Sequence, residues 1–104
     1  MSMKNHWGNL KVLFKIIESE RFNEKIKRLE NELPRILEFR KGLYFILERN
    51  PFNWGTPIPK EPNWKYGLYF VGKSDSVGRF PSFEVAYRIT DDTVFILDMG
   101  VIKF

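Results

Sequence analysis

At 104 residues the chain has room for one domain, residues 1–104, built around a single core. It contains no cysteine and one histidine, His6, which excludes disulfides and thiol chemistry and argues against zinc sites and histidine catalysis. The net charge of +4 is gathered in the first half: residues 1–50 hold eleven Lys/Arg against seven Asp/Glu, and residues 51–104 hold six of each.

An excess this small is that of an ordinary solvated helix surface, since a nucleic-acid binder usually concentrates more charge on one face. No apolar run approaches the roughly 20 residues of a membrane span. The opening residues, Met-Ser-Met-Lys-Asn-His-Trp, lack the apolar stretch of a signal peptide. A cytoplasmic protein without membrane contact is the expectation, and nothing in the sequence calls for a metal or cofactor.

Residues 10–17 form a short run rich in β-branched and aromatic side chains and predict a first strand. Periodicity at this length does not separate it from the first turns of a helix. Ser19 can cap the next element, in which Phe22, Ile26, Leu29 and Leu33 fall at helical spacing between charged residues. Pro34 fits the first turn of a second helix, whose apolar stripe is Ile36, Phe39, Leu43 and Leu47. Gly42 sits inside that helix at a cost of about 1 kcal/mol relative to alanine. A close backbone contact would account for it. Asn50-Pro51 ends the helix.

Residues 51–64 read as a loop with four of the six prolines and the aromatic side chains Phe52, Trp54 and Trp64. Prolines reduce the entropy of the unfolded loop, and its aromatic residues are expected to pin it to the core. Stacking on bases is the less favoured role for Trp54 and Trp64. Residues 66–71 predict a strand, residues 72–79 a flexible connection, and Pro81 suits a strand start. Residues 83–103 then form two β-branched, aromatic-rich runs around the turn Thr90-Asp91-Asp92-Thr93, which predicts a long antiparallel hairpin. The second run is apolar on both faces from Val94 to Leu97, as in a strand inside a sheet with something packed on it. The order is β-α-α-β-β-β: an α+β domain with a helical hairpin on one face of an antiparallel sheet and the other face open.

Alternation along the third strand puts Phe83, Val85, Tyr87 and Ile89 on the helix side and Glu84, Ala86 and Arg88 on the open side. Tyr87 is therefore expected in the core. Arg88 is expected either in an ion pair with Glu84 or Asp98, worth little when exposed, or as a contact for a phosphate or a partner's carboxylate. A Glu84/Asp98 acid–base pair is the weakest reading of this face.

Two stretches carry a family resemblance. Leu33-Pro-Arg-Ile-Leu with Gly42-Leu-Tyr-Phe-Ile-Leu-Glu-Arg-Asn-Pro51 resembles a second helix closing in "-x-x-L-x-x-x-P". Phe83-Glu-Val-Ala-Tyr-Arg-Ile-Thr-Asp-Asp-Thr-Val-Phe-Ile-Leu is similar to "Y-R-V-x-Y-x-I-x-D-D-x-V-x-I-L". Both patterns are those of the RelE/ParE superfamily of toxins from type II toxin–antitoxin systems, which the chain resembles over residues 10–103.

The resemblance implies a small basic toxin neutralised by a cognate antitoxin protein. RelE-like members are endoribonucleases that cut mRNA on the ribosome without a metal, using Lys and Arg to orient phosphate and stabilise charge in the transition state. ParE-like members inhibit DNA gyrase. On this sequence the implied catalytic set is Arg88, Arg79 and Lys73, and the implied RNA-binding set is Lys65, Lys73, Arg79 and Lys103. Glu84 stands where the family has arginine. The family's paired lysines fall on Leu68-Tyr-Phe-Val71, which Lys65 and Lys73 only flank. Lys103 follows the last strand, where many nucleolytic members carry further basic and aromatic groups. Three readings follow: an mRNA interferase, a ParE-like or inactive homologue that acts by protein binding, and an unrelated α+β interaction module.

Overall fold

The computed structural model describes residues 13–58, 67–75 and 80–102. In chain order these form β1 (Lys15–Glu18), α1 (Glu20–Leu29), α2 (Ile36–Arg49), the one-turn α3 (Pro51–Trp54), β2 (Thr56–Pro57), β3 (Leu68–Lys73), β4 (Phe83–Thr90) and β5 (Thr93–Val101). The class is α+β, with helices packed on a five-stranded sheet of order β1-β5-β4-β3-β2.

The sheet is mixed rather than antiparallel. β1 pairs parallel to β5 in the register Ile16↔Val94 and Ile17↔Phe95, and the remaining pairs are antiparallel. The helices carry the chain from β1 to β2 at the opposite edge of the sheet, and the antiparallel run β2–β3–β4 returns it to β5, which lies beside β1 in the same direction. The strand at 10–17 is realised as Lys15–Glu18; its residues up to 12 lie outside the described part.

Ser19 caps α1 as expected. Its Oγ accepts from the Phe22 N–H at 3.0 Å and donates to the Leu97 carbonyl at 2.7 Å, so one side chain ties the helix start to β5. Glu20 in the first turn and Lys27 and Arg28 in the last suit the helix dipole. α1 stops at Leu29, short of Leu33, which lies beyond a turn and still packs on the core. α2 begins at Ile36, after Pro34 and Arg35 have formed a turn in which the Ile36 N–H bonds the Leu33 carbonyl. Ile36, Leu43 and Leu47 are buried and Phe39 packs against them.

The predicted loop at 51–64 contains α3 and β2, and residues 59–66, including Trp64, lie outside the described part. Pro51 opens α3, where its missing N–H costs nothing. Trp54 and Phe70 stack on either side of the Tyr87 ring, with centroids 5.9 and 5.4 Å away. This gives Trp54 the packing role expected of it. β3 extends through Gly72 and Lys73, which the sequence suggested were connection. A Cβ at Gly72 would run into the Trp54 ring, so the glycine lets the indole lie on the strand.

Gly42 has no such reason. Among the described residues no atom beyond its chain neighbours and the backbone of its own helix lies within 4 Å of the place its Cβ would take, which removes the close contact expected there.

The closing hairpin is as expected. Thr90 pairs with Thr93 across Asp91-Asp92, and Asp91 takes the positive φ of 54° that the tight turn needs. Phe83, Val85, Tyr87 and Ile89 are all buried on the helix side. The register shifts beyond Ala86, pairing Ala86 with Asp98 but Tyr87 with Ile96. Leu97 is therefore an extra residue in β5, a bulge that keeps Val94, Ile96 and Met99 all in the core and turns Asp98 outward.

Candidate functional site

The face of the sheet away from the helices is the surface on which the sequence places function. The strand registers arrange its side chains in rows. Ile17 of β1, Phe95 of β5, Arg88 of β4 and Tyr69 of β3 are successive neighbours across the sheet. The next row holds Asp98, Ala86 and Val71, and the one after it Gly100, Glu84 and Lys73.

Arg88 sits in the apolar row. Its guanidinium lies over the Phe95 ring, 4.1 Å from the centroid, and Nη1 donates to Thr90 Oγ1 at 3.2 Å. The cation is thus stacked on an aromatic face. Asp98, one of its two expected partners, is engaged from the other direction: Lys25 of α1 reaches around the sheet edge to 2.8 Å and Arg21 to 3.5 Å. Lys25 also donates to the Met99 carbonyl at 2.7 Å. Burial pushes the Asp98 carboxyl up, but the Lys25 and Met99 N–H hydrogen bonds outweigh it and hold the group below its ordinary value. An ionised Asp98 fixed by cations does not serve as a general acid.

Lys73 is exposed and faces Glu84 directly across β3 and β4. Arg88 faces Tyr69 four residues further along, about 13 Å away at the rise of an extended strand. The two described members of the implied catalytic set are thus brought onto one face but kept apart, each beside a different neighbour. Lys65, Arg79 and Lys103 lie outside the described residues. Tyr87, directly behind this face, is committed to the core: burial raises its pKa to about 12, against a lesser lowering by the Gly55 N–H.

The polar cluster that the sequence did not suggest lies on the helix side. Glu18, at the end of β1, accepts from Arg40 Nε at 2.6 Å and Nη2 at 2.7 Å, from the Tyr44 hydroxyl at 2.8 Å and from Asn23 Nδ2 at 3.0 Å. Its side chain is 8% exposed. Burial pushes the carboxyl up, and the Arg40, Asn23 and Tyr44 bonds together bring it below its ordinary value. Tyr44 is raised to about 12 by burial and by Glu18. With four hydrogen bonds converging on one carboxylate, the cluster locks β1 to α1 and α2. The one available signal was a helix pair at i,i+4, Arg40 and Tyr44, turned toward a strand that ends in glutamate.

Compared with family models, curated proteins and solved structures, the chain matches none of them. Among the described residues no group of acidic or histidine side chains is arranged to hold a metal ion, and no helix is long and apolar enough to cross a membrane. What the open face offers chemically is a half-exposed apolar row with one stacked cation, bordered by charges that already oppose one another.

Proposed function

We propose that this chain is a RelE/ParE-like domain, the toxin half of a toxin–antitoxin pair in the cytoplasm, and that it acts by binding a protein through its open sheet face. The observation that carries the binding mode is the row Ile17–Phe95–Arg88–Tyr69, in which Ile17 is 48% exposed and the cation lies over an aromatic ring. Aromatic and arginine side chains side by side are typical anchors of protein interfaces. The toxin assignment rests on the residue patterns at 33–51 and 83–97 together with the helical hairpin on one sheet face. DNA gyrase is the target class that the ParE-like branch supplies, and a cognate antitoxin is the natural inhibitor.

A second reading, a ribosome-dependent mRNA interferase, is favoured by the exposure of Lys73 on the same face as Arg88 and by the sequence pI of about 9.4. Glu84 opposite Lys73 counts against it, because a carboxylate there repels phosphate.

Induced expression with mapping of mRNA ends separates these readings. Growth arrest with intact messages supports the binding mode, and loss of the arrest in Ile17→Glu ties it to the open face. Arrest with new mRNA ends replaces it with the interferase. Unaltered growth overturns the toxin activity and leaves an inactive homologue or an unrelated α+β interaction module.

A further inference from the structure

The helix α2 has a second stripe that the fold does not use. Ile36, Leu43 and Leu47 point into the core. At about 100° per residue, Glu38, Gly42, Phe45 and Arg49 line up on the outward side, spaced by four, three and four residues. That is the spacing of a helix–helix seam. Phe45 is 58% exposed, the highest value among the large hydrophobic side chains described. Gly42, one turn earlier, is a notch: beyond its chain neighbours and its own helix backbone, no described atom lies within 4 Å of its missing Cβ. It opens into a depression of about 300 Å³ lined by Phe39, Ile46 and Trp54. A protruding ring and an empty notch lie on one stripe, with an acid at one end and a base at the other.

We infer that this stripe is a homodimer contact, in which α2 packs antiparallel on α2 of a second copy. A twofold axis midway between Gly42 and Phe45 sets each Phe45 over the other copy's Gly42. The same axis sets each Glu38 beside the other copy's Arg49, because both pairs of residues are equidistant from it. The match is self-complementary in shape and in charge, as an isologous contact requires. Glycine at the crossing lets the helices approach closely.

In the monomer these groups make only local contacts on or near the surface of α2. Arg49 covers its own Phe45 ring at 3.8 Å and lies 3.5 Å from Glu48, and Arg35 lies 3.1 Å from Glu38. Such pairs contribute little and exchange readily for contacts across an interface. A single helix pair covers less than the roughly 800 Å² per partner of a standard interface, so the dimer is weak and forms at high protein concentration.

Sedimentation equilibrium over a concentration series tests this on the full chain, with circular dichroism to confirm that each variant is folded. The wild type is expected to pass from monomer to dimer. Phe45→Glu and Gly42→Leu are expected to stay monomeric. Glu38→Arg and Arg49→Glu singly weaken the dimer about tenfold or more, on the order of 1.4 kcal/mol, and the double exchange restores it. A wild type that stays monomeric at the highest concentration, or a dimer that Phe45→Glu leaves intact, overturns the contact. A double exchange that fails to restore association overturns the antiparallel pairing.

Discussion

The Tyr87 hydroxyl donates to the Pro51 carbonyl at 2.6 Å from a fully buried position in β4. It also accepts from the Gly55 N–H at 2.9 Å, so one side chain anchors both ends of α3. Tyr87→Phe keeps the ring between Trp54 and Phe70 but leaves a carbonyl and an N–H without their partner. The expected cost is about 1–3 kcal/mol. It is read as a lower urea midpoint with an unchanged slope.

The same hydroxyl makes the fold sensitive to alkali. Its pKa is about 12 in the folded chain against an ordinary 10.0, so the neutral form is the one the fold favours. Tyr44 is raised in the same way. Their contribution is complete below pH 10.0 and is lost as the pH rises toward about 12. Urea midpoints measured across that window are expected to fall steeply for the wild type and less steeply for Tyr87→Phe.

At the acid end Glu18 and Asp98 govern. Both carboxyls are held below their ordinary values, so their contribution is present at neutral pH and disappears as the pH falls through the carboxylate range. Arg40→Ala removes two of the donors to a carboxylate that is 8% exposed, and an uncompensated buried charge costs on the order of 3 kcal/mol. Glu18→Gln removes the charge along with the pair and is expected to cost less. The two variants are separated by chemical unfolding at neutral pH. In Glu18→Gln the acid sensitivity is also reduced, whereas equal losses in both variants contradict the role given to the ion pair.

Local features of the fold were legible in the sequence, and long-range pairings were not. Alternation from Phe83 to Ile89 sorted β4 correctly into a core face and an open face, and Ser19 before Phe22 and Ile26 marked the start of α1. The parallel pairing of β1 with β5 leaves no local trace, because nothing in residues 15–18 encodes strand direction. The bulge at Leu97 was equally hidden: an apolar run from Val94 to Leu97 looks the same with or without an extra residue. Because of that bulge, and because Lys25 arrives from a distant helix, Asp98 stood as one of two carboxylates expected beside Arg88, whereas α1 holds it. Proline density at 51–64 suggested a loop, although Pro51 and Pro57 both occupy positions that need no N–H from them, at the start of a helix and in the short edge strand β2.

The open face yields its own prediction. Ile17 is exposed and backed by Phe95 rather than by the core, so Ile17→Glu should change stability by less than about 0.5 kcal/mol. It should nevertheless weaken a partner held on that face by tenfold or more, since a charge is then buried against an apolar row. Arg88→Ala removes the stacked cation and should weaken the same partner, with Phe95 left bare. Titration calorimetry of each variant against the protein that affinity capture with the wild-type chain recovers, an antitoxin under the function proposed above, measures both. Unchanged affinity in the two variants moves the binding surface elsewhere on the molecule.

Glycine substitutions should separate positions the fold requires from one it does not. A Cβ at Gly72 collides with the Trp54 ring, and one at Gly55 comes within 2.5 Å of the Tyr87 hydroxyl. Gly72→Ala and Gly55→Ala must therefore displace the stacked aromatic layer, and a loss of about 1–3 kcal/mol is expected from overpacking. Gly42 lies within α2 with open space beyond it. Gly42→Ala should raise stability by about 1 kcal/mol through helix propensity alone. At concentrations where the chain is monomeric, that corresponds to a rise in Tm of roughly 4–8 °C. Thermal melts of the three variants check the contrast. A Gly42→Ala chain no more stable than the wild type would show that the helix interior needs its glycine, and the notch beside Phe45 would then have an internal cause.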